Sequence, residues 1–209
     1  MARKCKEDAE KTRQAVLESA LDVFAQKGYA RATFDEIAAC AGYTKGAIYW
    51  YFRNKADLVS ALIVEYTQRK RNEICEKLPK GNSLEDLVEY FSIWAAAGQN
   101  NERFAKFYRF ILCQMEWSET VLENVDKNLK DIKDFHLEKI NKVLVECKRN
   151  GTIRSDVDIE KVQYLVLANY MGVLFSTLSK RHNFQLVDMV RLNLGLFLDG
   201  LKCERERVR

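Results

Sequence analysis

A single proline, Pro79, interrupts a sequence of 209 residues, and only nine glycines accompany it. Turns draw heavily on both residues, because proline presets φ and glycine reaches positive φ. A sandwich or barrel needs a turn signal roughly every 8–12 residues, and this chain cannot supply one. The sequence therefore predicts an all-α protein. Hydrophobic residues make up 47% and charged residues 31%, a balance that excludes a disordered chain.

The six cysteines, Cys5, Cys40, Cys75, Cys113, Cys147 and Cys203, lie at least 34 residues apart. That spacing forms no C-x-x-C pair, so neither a zinc site nor a disulfide framework is expected. Free thiols in a reducing cytosol are the expectation, and no secretory signal opens the sequence. The longest apolar run, Tyr164 to Leu178, has 15 residues and includes Asn169. A membrane span needs about 20. A cytoplasmic protein without membrane partner, metal or cofactor is expected.

Charge is unevenly distributed. Residues 1–71 carry 13 Lys/Arg against 9 Asp/Glu, whereas residues 72–209 carry 21 of each, so the whole net charge of +4 sits in the first third. A local basic excess suits a polyanionic partner.

Apolar periodicity and capping residues divide the chain into helices. Val16, Ala20 and Phe24 make a helical row over 12–27, which Gly28 ends. Thr33 and Glu36 read as a capping box that opens a short helix, and Gly42 closes it. Thr44 is the expected N-cap of a second short helix running to about Phe52. Asn54 caps a third, which extends to Cys75 or Leu78 before the Pro79–Asn82 break. Ser83 with Asp86, then Gly98–Asn101, bound the next helix. Further helices are expected at about 103–116, 121–148, 158–180 and 184–202. The chain divides into a reading head at 1–55, a connecting helix at 55–78 and a larger helical domain at 79–209.

Two short helices joined by Ala41-Gly42-Tyr43 have the arrangement of a helix-turn-helix, whose second helix enters the major groove of DNA. Thr44 and Lys45 stand at the start of that helix, where side chains and free amides meet phosphates or bases. Lys45 suits guanine O6 or N7. Gly46 permits close approach. Ile48 and Phe52 face inward, leaving Tyr49, Trp50 and Tyr51 on other faces. Lys55 stands at the next helix start, where ammonium and helix dipole both attract phosphate. The expected DNA-binding residues are Thr33, Thr44, Lys45, Gly46, Ala47, Tyr49, Trp50, Tyr51 and Lys55.

The stretch from Thr12-Arg13 through Phe24, Gly28-Tyr29, Thr33, Glu36-Ile37-Ala38, Ala41-Gly42, Lys45-Gly46, Ile48-Tyr49, Tyr51-Phe52, Lys55 and Leu58 resembles the DNA-binding domain of the tetracycline-repressor (TetR/AcrR) family. Lys45 to Trp50 looks most like its multidrug-efflux branch. Tyr51 departs from the pattern, since the family often has His there. Lys148, Gly151, Ile153, Arg154 and Asp158 resemble the junction before the family's dimerisation helices. The resemblance implies an N-terminal three-helix reading head and a larger helical domain that binds a ligand and dimerises. It further implies a repressor whose dimer holds a palindromic double-stranded operator until a small hydrophobic or amphipathic effector releases it.

The last helix carries two apolar stripes, Val187-Val190-Leu194-Phe197-Leu201 and Leu186-Met189-Asn193-Leu196-Gly200. One can face the core and the other a second copy. The expected homodimer interface is Gly172, Phe175, Met189, Asn193, Leu196 and Gly200. Aromatic residues crowd the middle of the chain. Trp94, Phe107, Tyr108, Phe110, Gln114, Trp117, Asn169 and Tyr170 are the candidates for an effector pocket. No nucleophile elbow, P-loop, zincin or dinucleotide motif is present, so an enzyme is not expected. The alternative from a different class is a thiol-based redox sensor, with Cys40 beside the turn and Cys113 among the aromatics.

Overall fold

A computed structural model of the protein describes the backbone at residues 2–179 and 184–203, with side chains at 7–119, 121–124, 135–179 and 184–203. The described residues form α1 (Ala2–Lys27), α2 (Phe34–Ala41), α3 (Lys45–Tyr51), α4 (Lys55–Ile74), α5 (Leu84–Gln99), α6 (Glu102–Cys113), α7 (Glu119–Arg149), α8 (Ile159–Leu178) and α9 (Leu186–Asp199). A 3₁₀ turn at Cys75–Lys77 follows α4. Among them there is no strand, only an isolated antiparallel bridge between Ile153 and Lys202. No described helix is long and apolar enough to cross a membrane.

The helix boundaries follow from local chemistry. Gly28, Gly42 and Gly151 take φ of 80°, 73° and 83° where α1, α2 and α7 stop, a conformation that costs glycine little. Asp158 caps α8 by accepting from the Lys161 amide. Ser83 and Asp86 form a complete capping box on α5. Gly98 does not punctuate as expected. It is buried inside α5, which runs on to Gln99.

The chain packs as two compact units. The first comprises Met1–Gln68 and Lys106–Lys130, the second Arg69–Ala105 and Asp131–Arg209. Helices α4, α6 and α7 thus contribute residues to both.

In the first unit α1 packs on α2, and α2 on α3. Val16, Leu17, Ala20, Leu21 and Phe24 of α1 are buried with Ile37, Ile48, Leu58 and Leu62. Most of α6 belongs here. Phe110 stacks on Phe24 at 5.1 Å between centroids, and Phe107 on Tyr66 at 4.8 Å. Lys106 Nζ reaches Asp22 at 2.7 Å. Burial of these rings stabilises this face.

In the second unit α9 packs against α5 and α8. The buried row on α9 is Leu186-Val190-Leu194-Leu198, which draws on both expected stripes. The segment before α8 is clipped to the end of α9: Arg154 N donates to Leu201 O at 3.1 Å and Cys203 N to Thr152 O at 3.0 Å.

Candidate nucleic-acid interface

The geometry of the helix-turn-helix starts at Thr33. Its Oγ1 accepts from the Glu36 amide at 3.3 Å, and Glu36 Oε2 accepts from the Thr33 amide at 3.1 Å. Both halves of the capping box are present. The other Glu36 oxygen meets Lys27 Nζ. That ammonium and the Thr33 amide hold the Glu36 carboxyl below its usual range. Gly42 then turns the chain left-handedly, and Thr44 Oγ1 caps α3 through the Ala47 amide at 3.3 Å.

α3 has seven residues and buries one of them, Ile48. Phe52, just past its end, is buried too. The other aromatic surface is left outside: Tyr49 is 53% and Trp50 75% exposed. Tyr49 meets the edge of buried Phe34 at 5.0 Å, and Trp50 meets Tyr51 edge-on at 4.6 Å. A Cβ at Gly46 would find only Thr44 Oγ1, at 3.9 Å. The protein's own packing therefore does not require a glycine there, and the free space faces solvent.

A groove of about 700 Å³ runs beside α3, lined among others by Thr33, Asp35, Lys45, Tyr49, Arg53 and Lys55. Three of its side chains are basic. Lys45 is exposed, and its Nζ meets Asp35 Oδ2 at 2.7 Å. The Asp35 carboxylate, through that hydrogen bond and its charge, raises the Lys45 ammonium above its usual range. Lys55 is engaged differently. Its Nζ donates to Tyr29 O and Ala30 O, both at 2.9 Å, and lies 4.8 Å from the Tyr29 ring centroid. The Tyr51 hydroxyl donates to Ala9 O of α1 at 2.9 Å. A phosphate at either position has to compete with these bonds. Ala47 is half-buried against the cap.

Arg53 and Asp35 are the charged groove residues that motif reading passed over. Arg53 is exposed between α3 and α4. Its place in the Trp50-Tyr51-Phe52-Arg53-Asn54-Lys55 run, just before a capped helix, is the signal that marks it.

The other sequence-predicted residues separate into three places. Phe107, Tyr108 and Phe110 belong to α6 in the first unit, with Gln114 and Trp117 exposed after it. Burial raises the Tyr108 hydroxyl. Trp94 and Tyr170 lie in the core of the second unit, where Tyr170 packs on Phe91 at 4.7 Å between centroids. Asn169 is apart from both. It donates to Leu165 O and lines a groove between α8 and α9 with Gly172, Met189 and Asn193. That groove has a volume of about 470 Å³. Around it Phe175 is 46% and Leu196 67% exposed. Gly200, past the last turn of α9, is exposed as well.

Residues 16–62 match the model of the family described as bacterial regulatory proteins, tetR family. The probable HTH-type transcriptional regulator ArpR of Pseudomonas putida is 28% identical over 180 residues, covering 83% of each chain. The probable acrEF/envCD operon repressor of Escherichia coli K12 is 25% identical over 189 residues, covering 89% of this chain and 84% of its own. Among solved structures, NalD of Pseudomonas aeruginosa superposes with a TM-score of 0.76 at 20% identity. That match covers 94% of this chain and 98% of NalD, described as the secondary repressor of the MexAB-OprM multidrug efflux pump. At that identity the likeness is one of fold. These relatives give a thiol sensor at Cys40 or Cys113 no support.

Proposed function

We propose that this chain, which belongs to the tetR family of bacterial regulatory proteins, represses transcription as an effector-responsive homodimer on a palindromic operator. The observation that carries the reading is the exposed face of α3. A seven-residue helix that buries only Ile48 and leaves Tyr49 and Trp50 in solvent has apolar and hydrogen-bonding surface unused within the protein. Set beside Thr44, Lys45 and Arg53, that surface suits base edges, thymine methyls and phosphates. Thr33, Gly46, Ala47, Tyr51 and Lys55 complete the proposed contact set.

The exposed apolar face of α8 and α9 suits the second copy. Gly172, Phe175, Met189, Asn193, Leu196 and Gly200 fall on it. Asn193 Oδ1 is buried there without a hydrogen-bond partner among the described residues, so a donor from a facing subunit would satisfy it. A two-fold dimer would set two α3 helices one DNA turn apart.

The domain assignment follows: residues 1–55 read DNA, α4 connects, and residues 79–209 bind effector and dimerise. A small hydrophobic or amphipathic effector, drawing on residues such as Trp94 and Tyr170, would favour a conformer whose α3 helices no longer match the operator. The regulated gene is proposed to be an efflux system, as the relatives' descriptions suggest. Selecting operators from random double-stranded DNA tests the reading. A palindromic consensus bound by wild type and lost in Lys45→Ala supports it. Recovery of no consensus overturns it.

A further inference from the structure

α3 presents four sides, and helical spacing assigns its residues to them. Ile48 is on the buried side. Lys45 and Tyr49, one turn apart, line the basic groove. Tyr51 stands on the opposite flank, where its hydroxyl donates to Ala9 O of α1 at 2.9 Å. Ala47 precedes it by one turn. Gly46 and Trp50 fall between the two flanks and point away from Ile48. A Cβ at Gly46 accordingly meets almost nothing, and Trp50 is 75% exposed. The edge that suits a major groove is thus Gly46–Trp50, with the basic groove on one side of it and α1 on the other. All of these residues belong to the first unit.

The α1 side holds a residue that motif reading left without a role. Tyr43 lies between Gly42, in the left-handed conformation, and Thr44, the N-cap of α3. Its amide donates to Ala38 O at 3.0 Å, which fixes its backbone to the end of α2. Tyr43 is 40% exposed, and its hydroxyl reaches α1, 3.4 Å from Thr12 Oγ1. Thr12 Oγ1 carries one proton, and Asp8 O, at 3.0 Å, is the nearer acceptor for it. Among the described residues the Tyr43 proton is then left with a 3.4 Å contact to Thr12 Oγ1, beyond the usual range for O–H···O.

Charge separates this side from the groove. Glu7, Asp8 and Glu10 are exposed along α1 beside Lys11, so the stretch carries more acid than base. It offers no excess of cations to a phosphate. A tyrosine hydroxyl still donates to a phosphate oxygen.

We propose that Tyr43 holds a phosphate of the DNA strand opposite the one met by the basic groove, and that Thr12 positions its hydroxyl. α3 then lies between two backbones held by different chemistry, cations on one side and a neutral hydroxyl on the other. This contact rests on the DNA-binding role proposed for α3.

The test is an anisotropy titration of the full chain on a selected operator and on a scrambled duplex, each at several salt concentrations. Tyr43→Phe should weaken both duplexes by the same factor, roughly three- to tenfold, as expected for one exposed hydrogen bond. No cation leaves the interface, so the slope of log affinity against log salt should match wild type. The free variant should keep the wild-type urea midpoint, because a long contact between exposed groups contributes little to the fold. Thr12→Val should lose about twofold in the wild-type background and nothing further beside Tyr43→Phe. Methylphosphonate placed at single operator phosphates should reveal one position that weakens wild type and leaves Tyr43→Phe unchanged. Unaltered affinity of Tyr43→Phe, a loss confined to the operator, a loss that tracks a lowered urea midpoint, or the lack of such a phosphate overturns the contact. Wild type that binds neither duplex overturns the DNA-binding role itself. Wild type that binds both while Tyr43→Phe matches it overturns the Tyr43 contact alone.

Discussion

Lys45 Nζ and Asp35 Oδ2 lie 2.7 Å apart, which ties the first turn of α3 to the first turn of α2. The pair is exposed, so its own contribution to stability is small and falls with salt. Its effect is on what Lys45 can do. A carboxylate beside the ammonium competes with a guanine edge or a phosphate for the same protons. It also repels the DNA backbone.

Asp35→Asn should therefore strengthen binding to all DNA by about two- to fivefold, a range set by exposed ion pairs. Lys45→Ala should weaken operator binding by roughly tenfold or more, and the operator should lose more than random DNA. Gel shifts on a selected operator and a scrambled duplex measure both. Weaker binding by Asp35→Asn would mean that Asp35 positions Lys45 for the base edge instead of competing with it.

Lys55 should behave as a structural residue first. Its ammonium closes the α1–α2 turn by donating to Tyr29 O and Ala30 O. Lys55→Ala should cost about 1–2 kcal/mol in the absence of DNA, as two partly exposed charge-assisted bonds are lost. Urea unfolding of the free protein gives the value. A wild-type midpoint together with weakened DNA binding would assign Lys55 to phosphate alone.

Features that depend on neighbours in sequence were the ones legible there. Thr33 with Glu36, Gly42 and Thr44 announce their helix ends because a cap is satisfied within three or four residues. The fold class follows from those caps and the scarcity of turn-formers. Features that depend on distant neighbours were not legible. The Asp35–Lys45 pair joins two helices, and nothing in either segment announces it. α1 begins at Ala2 although its first residues lack an apolar row. Lys70 sits in the polar run Gln68-Arg69-Lys70-Arg71 and reads as solvated. Only its register, four residues past Tyr66 and four before Ile74, marks the buried face. On α9 the two apolar stripes could not be sorted, because the buried row takes Leu186 from one and Val190 from the other.

Leu196 provides a test of the proposed dimer that spares the fold. It is 67% exposed within one chain, so a carboxylate there disturbs little of the monomer's core. Across a two-fold interface the same charge would be buried twice without a partner. Leu196→Glu should give a folded monomer by light scattering at tens of micromolar, with operator affinity falling alongside. Wild type running as a monomer at that concentration would refute the interface.

Stability should rise with pH across two separate windows. His136 is pushed down to about 4 by burial and by Lys70, against an ordinary value near 6.5. Between those values the unfolded chain binds a proton that the folded chain rejects, so stability is lost as pH falls from about 6.5 towards 4. Lys70, pushed down to about 7 from about 10.4, gives a slope of the same sign between about 7 and 10. There too the unfolded state binds more protons, so raising the pH removes a penalty on the folded state. The His136 window is the cleaner measurement, because a shift of that size corresponds to at most about 3 kcal/mol. Its partial exposure brings the expected loss nearer 2. Urea unfolding at pH 6.5 and 4.5 should reveal it. His136→Gln offers an amide oxygen to the Tyr90 hydroxyl without a titrating ring, and should flatten this part of the curve. An unchanged pH slope in that variant would assign the acid sensitivity to other groups.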